Sequence, residues 1–169
     1  MTDSGCSPST CDPNPSSGPA QLKAACPTNQ KVGQAIDTLT LKALLALPLT
    51  QVVHSAYRFC PDPNCPTVYY SADGEQFFTE SHLRERVYQK HPDDDGLLIC
   101  YCFQYTVGSI RNEIIETGSS RAVEQITAGI QAGQCACDVR NPQGDCCLGN
   151  VRQLVKRIQA ERRHPAGDE

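Results

Sequence analysis

Tryptophan is absent, methionine occurs once, and aromatic residues make up only 6% of the 169 positions. With 39% hydrophobic residues this is a thin supply for one large core, and two small cores, each held by metal, fit the composition better. An excess of positive charge is lacking too: the net charge of −4 creates no field that would gather a nucleic-acid backbone. The longest greasy stretch, LTLKALLALPLTQVV, is too short for a bilayer and contains Lys42 and Pro48. The N-terminal MTDSGCSPSTCDPNPSSGP has neither the basic start nor the apolar run of a secretory signal. These absences predict a soluble, cytoplasmic protein with no nucleic-acid partner and no membrane insertion. Catalytic patterns are missing as well. His54, His82, His91 and His164 are scattered, no H-E-x-x-H or Ser/His/Asp arrangement occurs, and no glycine-rich loop is built to cradle phosphate.

Cysteine is what the chain has in abundance. There are eleven, an odd number, running from Cys6 to Cys147. In a reducing compartment thiols at this density point to metal rather than to disulfides.

The chain divides by composition. Residues 1–24 are rich in Ser, Pro, Gly, Asn and Asp and read as a flexible tail carrying Cys6 and Cys11. Residues 25–95 read as a first unit. LTLKALLAL is a short helix, and YRFC and PTVYYS are strands flanking a turn set by Pro61, Pro63 and Asn64. EQFFTESHLRERVYQKH alternates and then reads helical from about Ser81, and HPDDDG, with its run of acidic residues, reads as a linker. Residues 96–163 read as a helical second unit, and 164–169 as a tail. Val107, Ile110, Ile114 and Ile115 mark a helix stopped by Gly118. Val123, Ile126 and Ile130 mark the next, and Leu148, Val151, Leu154, Val155 and Ile158 the last. The late basic residues Arg152, Lys156, Arg157, Arg162 and Arg163 fit the solvated face of that last helix, or a docking patch for an acidic partner. The fold class expected is α+β, a small β-rich unit followed by a helical domain.

In the second unit Cys100-x-Cys102 lies before two helices, and Cys137 and Cys147 follow them, with Cys135 and Cys146 as close companions. A 2Fe–2S cluster needs four thiolates, two for each iron. Two loops brought together by a helical pair can supply them, and helix N-termini stabilise thiolates there. Zinc prefers C-x₂₋₄-C pairs that wrap a single ion, and Cys-x-Cys or adjacent cysteines suit it poorly.

CYCFQYT, a helical pair and then CACDVRNPQGDCCLGNV resemble the 2Fe–2S part of CopZ-type copper chaperones, which is similar in turn to bacterioferritin-associated ferredoxin. The resemblance implies Cys100, Cys102, Cys137 and Cys147 as the cluster ligands. Cys135 remains an alternative to Cys137, and Cys146 to Cys147.

The same resemblance extends upstream, over roughly residues 26–163. CopZ-type proteins carry a zinc unit similar to CPTN, YRFCPDPNC and TVYYS of this chain, which implies Cys26, Cys60 and Cys65 as zinc ligands. Where that pattern has a further cysteine, this chain has Asn29. Tetrahedral zinc needs a fourth ligand, for which Asn29, His54, Cys11, His82 and water are the candidates. An open position on three thiolates also suits a soft ion such as Cu(I). The copper-carrying M-x-C-x-x-C domain of those chaperones has no counterpart in this sequence, whose one Met is Met1. The function implied is redox and electron-transfer support for intracellular metal handling, with copper or another soft ion as the metal and a redox or metal-transport protein as partner. At most this amounts to metal-ion reductase activity. The competing reading is a non-enzymatic redox-sensing or structural module.

Overall fold

The computed structural model describes residues 24–163. Most of the expected N-terminal tail, with Cys6 and Cys11, and residues 164–169, with His164, lie outside the described residues.

The fold is α+β. Four short strands, β1 (Gln34–Ile36), β2 (Tyr57–Phe59), β3 (Thr67–Ser71) and β4 (Phe77–Thr79), form an antiparallel sheet in the order β1-β2-β3-β4. Gln34 pairs with Phe59, and Phe59 with Tyr69. The β-branched and aromatic residues of TVYYS favour extended chain, and all five are buried. Between β1 and β2 runs helix α1 (Thr38–Leu44), whose N-cap Asp37 accepts the N–H of Leu39 at 2.7 Å. Leu41, Leu44 and Leu45 pack with Phe59, Tyr69, Phe78, Leu83 and Val87 into a first core.

The chain after Ser81 departs from the expected helix. It makes a 3₁₀ turn over Glu80–His82, runs extended, and turns again over Tyr88–Lys90. The cause is tertiary. Ala46 N–H donates to His82 O at 2.8 Å, and Arg84 N–H to Leu44 O at 2.8 Å. Glu80 Oε1 accepts the N–H of Val87 at 2.6 Å. These partners take the backbone groups that a helix would have satisfied internally, while Leu83 and Val87 still reach the core.

The HPDDDG segment folds into hydrogen-bonded turns, and Arg157 donates to Pro92 O at 3.0 Å and pairs with Asp93 at 3.1 Å. A two-stranded ribbon follows, β5 (Leu98–Cys100) and β6 (Tyr105–Thr106), then helices α2 (Val107–Thr117), α3 (Ala122–Gln131), α4 (Cys137–Arg140) and α5 (Leu148–Arg163). Thr106 and Ser109 cap α2 reciprocally, each hydroxyl accepting the other's N–H at 3.0 Å. Gly118 closes α2 at φ +85°, in the left-handed region. Ile110 and Ile114 of α2, Ala122 and Ile126 of α3, and Val151, Leu154 and Ile158 of α5 form a second core. Cys100, Cys137 and Cys147 belong to this second core, and Cys102 and Cys135 lie against it.

The two cores are joined. Helix α1 packs on α4, and Tyr69 donates its hydroxyl to Pro142 O at 2.6 Å. Among the described residues no helix is long and apolar enough to cross a membrane.

Candidate metal centres

Two turns of the first half converge on one point. In the upstream turn Cys26 N–H donates to Lys31 O at 2.8 Å and Gln30 N–H to Cys26 O at 2.9 Å, with Gln30 at φ +62°. In the second turn, Cys60 closes β2 and Cys65 opens β3, and Asp62 O accepts Cys65 N–H at 3.2 Å. The thiols of Cys26, Cys60 and Cys65 are all buried and lie within 4.8 Å of one another. The Cys26 and Cys65 sulfurs are 3.7 Å apart. Tyr70 of β3 packs against the trio, and its hydroxyl accepts Gly33 N–H at 2.7 Å and donates to Ala24 O at 3.0 Å.

The environment splits the three thiols. Burial pushes Cys60 up to about 11. Burial acts the same way on Cys26, but the N–H groups of Asn29 and Thr28 and the neighbouring thiols outweigh it and hold that thiol below its ordinary value. Lys90 arrives from the far turn and donates to Asp62 O at 2.8 Å, Cys65 O at 2.9 Å and Thr67 O at 2.8 Å. Burial lowers its pKa, against the pull of Cys60 and Cys65. Nothing local in the sequence marks Lys90, which reaches the site only because the chain doubles back.

Asn29 stands beside the trio and turns its amide nitrogen toward Cys60. Its Nδ2 donates to Cys60 Sγ at 3.5 Å and to Asp62 Oδ2 at 3.1 Å, and its Oδ1 accepts Lys31 N–H at 3.0 Å. His54 and His82 are exposed, and His82 Nδ1 accepts Thr79 N–H at 3.1 Å. Among the described residues no histidine or carboxylate joins the three sulfurs.

The second convergence lies at the start of the helical half. Cys100 ends β5, and a tight turn with Gln104 at φ +60° returns the chain to β6. Gln104 Nε2 donates to Tyr101 O at 3.0 Å, which ties that left-handed residue down. Cys102, half-buried, lies 3.8 Å from Cys137, and Cys135 lies 3.3 Å from Cys137. The Cys147 thiol interacts with those of Cys100 and Cys137. Cys146, its chain neighbour, is exposed. Five thiols therefore meet here, and the tightest triplet is Cys102, Cys135 and Cys137.

Backbone donors face these sulfurs. Ala136 N–H reaches Cys102 Sγ at 3.3 Å, and the N–H groups of Phe103 and Cys102 support Cys100. The contact with Cys147, opposed by burial, brings Cys100 to about 7 and Cys137 to about 5, and the same two contacts push Cys147 upward. Burial raises Cys102 to about 12. Lowered thiols at Cys100 and Cys137 favour thiolate, the form that binds a cation.

Comparison with known proteins sharpens the first centre. Residues 23–84 match the zf_CopZ family model, a zinc binding domain. The crystal structure of the Archaeoglobus fulgidus CopZ N-terminal domain is similar in fold, with a TM-score of 0.63 and 27% identity, covering 77% of this chain and 96% of that one. Together these findings support a CopZ-type zinc-binding unit and metal binding. The nitrogen fixation protein NifU of Leptolyngbya boryana is 32% identical over 76 residues, which cover 44% of this chain. The match takes in 32% of that relative's own length.

Both donor sets fit the groups they suggest. Three buried thiols on two turns are a soft donor set of the kind zinc takes, and among the described residues no histidine or carboxylate completes a tetrahedron. Convergent thiols edged by N–H donors suit an iron–sulfur cluster, whose sulfurs need hydrogen bonds.

Proposed function

We propose that Cys100, Cys102, Cys137 and Cys147 hold a 2Fe–2S cluster, that Cys26, Cys60 and Cys65 hold zinc, and that the protein gives redox support to metal handling. On this reading residues 25–95 are the zinc unit and residues 96–163 the cluster domain. When bound, the cluster supplies one electron at a time, with Cu(II) or a similar metal ion as the acceptor.

The observation that carries the proposal is the burial of Cys100, Cys137 and Cys147 in one core cluster, with Cys102 packed against it 3.8 Å from Cys137. The chain's own residues divide the work. Cys100, Cys137 and Cys147 are buried and anchor the site, whereas Cys102 is half-exposed and marks the edge a partner or metal ion can approach. Gln104 and Tyr101 fix the turn, Tyr101 by donating its hydroxyl to Arg86 O at 2.6 Å. Among the two alternatives in sequence, exposure of Cys146 supports Cys147 as the ligand. Cys137 is preferred to Cys135 because it is buried in one core cluster with Cys100 and Cys147, whereas Cys135 only lies against that cluster.

The test is an ultraviolet–visible and EPR spectrum of anaerobically purified protein, followed by mixing the reduced form with Cu(II). Expected is a 2Fe–2S spectrum that is lost in Cys102→Ser and that, after reduction, regains its visible absorption and loses its EPR signal in step with Cu(I) formation. Absence of iron would overturn the cluster assignment. A reducible signal indifferent to Cu(II) and to redox proteins would replace the electron-transfer role with a redox-sensing or structural one.

A further inference from the structure

The Cys26 centre differs from a zinc tetrahedron in a way that selects its ion. Beside the three thiols stands Asn29, whose amide presents its nitrogen, not its oxygen, to Cys60 Sγ at 3.5 Å. That oxygen is engaged by Lys31 N–H at 3.0 Å, and Asp62 Oδ2 holds the nitrogen from the other side at 3.1 Å. An amide N–H is a hydrogen-bond donor to a thiolate and cannot ligate a metal. Among the described residues the trio stands alone, with no imidazole or carboxylate in range.

Charge points the same way. Lys31 and Asp62 pair at 2.5 Å and cancel. Lys90 places one fixed ammonium against the carbonyls of Asp62, Cys65 and Thr67. Three thiolates and one ammonium leave two negative charges, so a divalent ion makes the buried centre neutral, whereas Cu(I) leaves it one charge short. Zinc is satisfied by four ligands, while large soft divalent ions such as Pb(II) accept three thiolates.

Resting on the reading of Cys26, Cys60 and Cys65 as a metal centre, we propose that this centre is a three-coordinate thiolate site for a soft divalent ion, with Asn29 beside it as a donor to Cys60. Binding exchanges protons for metal: each thiol that ligates releases one proton to solvent, and no electron moves.

The test uses the full chain with its other metals in place and Pb(II) as the soft probe, in competition with Zn(II). Lead–thiolate absorption is read as the difference from Cys60→Ser, which removes signal from any other thiols. X-ray absorption at the lead edge counts the sulfurs. Expected are three sulfurs around lead and a Pb(II)-over-Zn(II) preference that falls at least about tenfold in Asn29→Cys, which restores a fourth thiolate. Asn29→Asp, which removes the donor and adds a charge, is expected to shift the preference the same way by a smaller factor. If wild type and Asn29→Cys discriminate equally, or if zinc in the wild-type site shows four protein ligands, the three-coordinate proposal fails while the zinc reading stands. If Cys60→Ser changes neither zinc nor lead content, both fail.

Discussion

Tyr69 donates its hydroxyl to the carbonyl oxygen of Pro142 at 2.6 Å, from the interior of β3 to the loop that leads to Cys147. Both residues are buried, so the bond is sheltered from water. It ties the sheet that carries Cys60 and Cys65 to the loop of the other centre. Tyr69→Phe keeps the ring and leaves the Pro142 carbonyl without this donor, at a cost of about 1–3 kcal/mol. The expected result is a lower urea midpoint with an unchanged slope, and faster loss of iron to a chelator. Equal midpoints and equal iron loss would show that the two halves do not depend on this contact.

Neighbouring cysteines should behave oppositely. Cys147 is 1% exposed and interacts with two other thiols, whereas Cys146 is exposed. Cys147→Ser is expected to abolish the visible spectrum of the purified protein. Cys146→Ser is expected to leave spectrum and iron content unchanged. Loss of the spectrum in both variants, or in Cys146→Ser alone, would reverse the ligand assignment.

Much of this architecture is legible in the sequence because its causes are local. Val107, Ile110 and Ile114 announce α2 by spacing, and Gly118 supplies the left-handed residue that ends it. The CPDPNC turn brings Cys60 and Cys65 together over a short stretch of chain. What the sequence hides is set by distant partners. The helical pattern after Ser81 is overruled by backbone pairing with residues 44–46, which no local propensity records. The sequence leaves Asn29 open as ligand or bystander, and its place between Cys60, Asp62 and Lys31 N–H is set by the fold. Lys90 has no signature at all, because its role depends on three carbonyls that lie more than twenty residues upstream.

Glycine positions separate close approach from open space. A Cβ on Gly33 would meet Phe59 O at 2.2 Å and Tyr70 OH at 2.9 Å. The Phe59 carbonyl is backbone next to Cys60 and cannot retreat without moving that thiol. Gly33→Ala is expected to cost about 1–3 kcal/mol and to lower zinc content. Gly149 of α5 meets nothing within 4 Å. Gly149→Ala is expected to stabilise the protein by up to about 1 kcal/mol, since alanine loses less backbone entropy in a helix. Thermal melts of the two variants against wild type check both signs, and a melt unchanged in Gly33→Ala would mean the sheet has room to give.

Lys90 provides the last test, because one ammonium organises the whole Asp62–Thr67 turn. Its three carbonyl contacts lie between 2.8 and 2.9 Å and fix the segment from which Cys65 projects. Lys90→Met keeps the aliphatic stem and removes every donor, so packing is largely preserved while the carbonyls lose a charged partner. The expected cost is about 2–3 kcal/mol, with faster zinc transfer to a chromophoric chelator. Lys90→Arg keeps the charge, yet a planar guanidinium cannot aim three N–H bonds at one converging point as an ammonium does. It should therefore restore only part of the stability while retaining the charge balance of the centre. If Lys90→Met releases zinc at the wild-type rate and unfolds at the wild-type midpoint, the turn holds itself and the ammonium is incidental to the site.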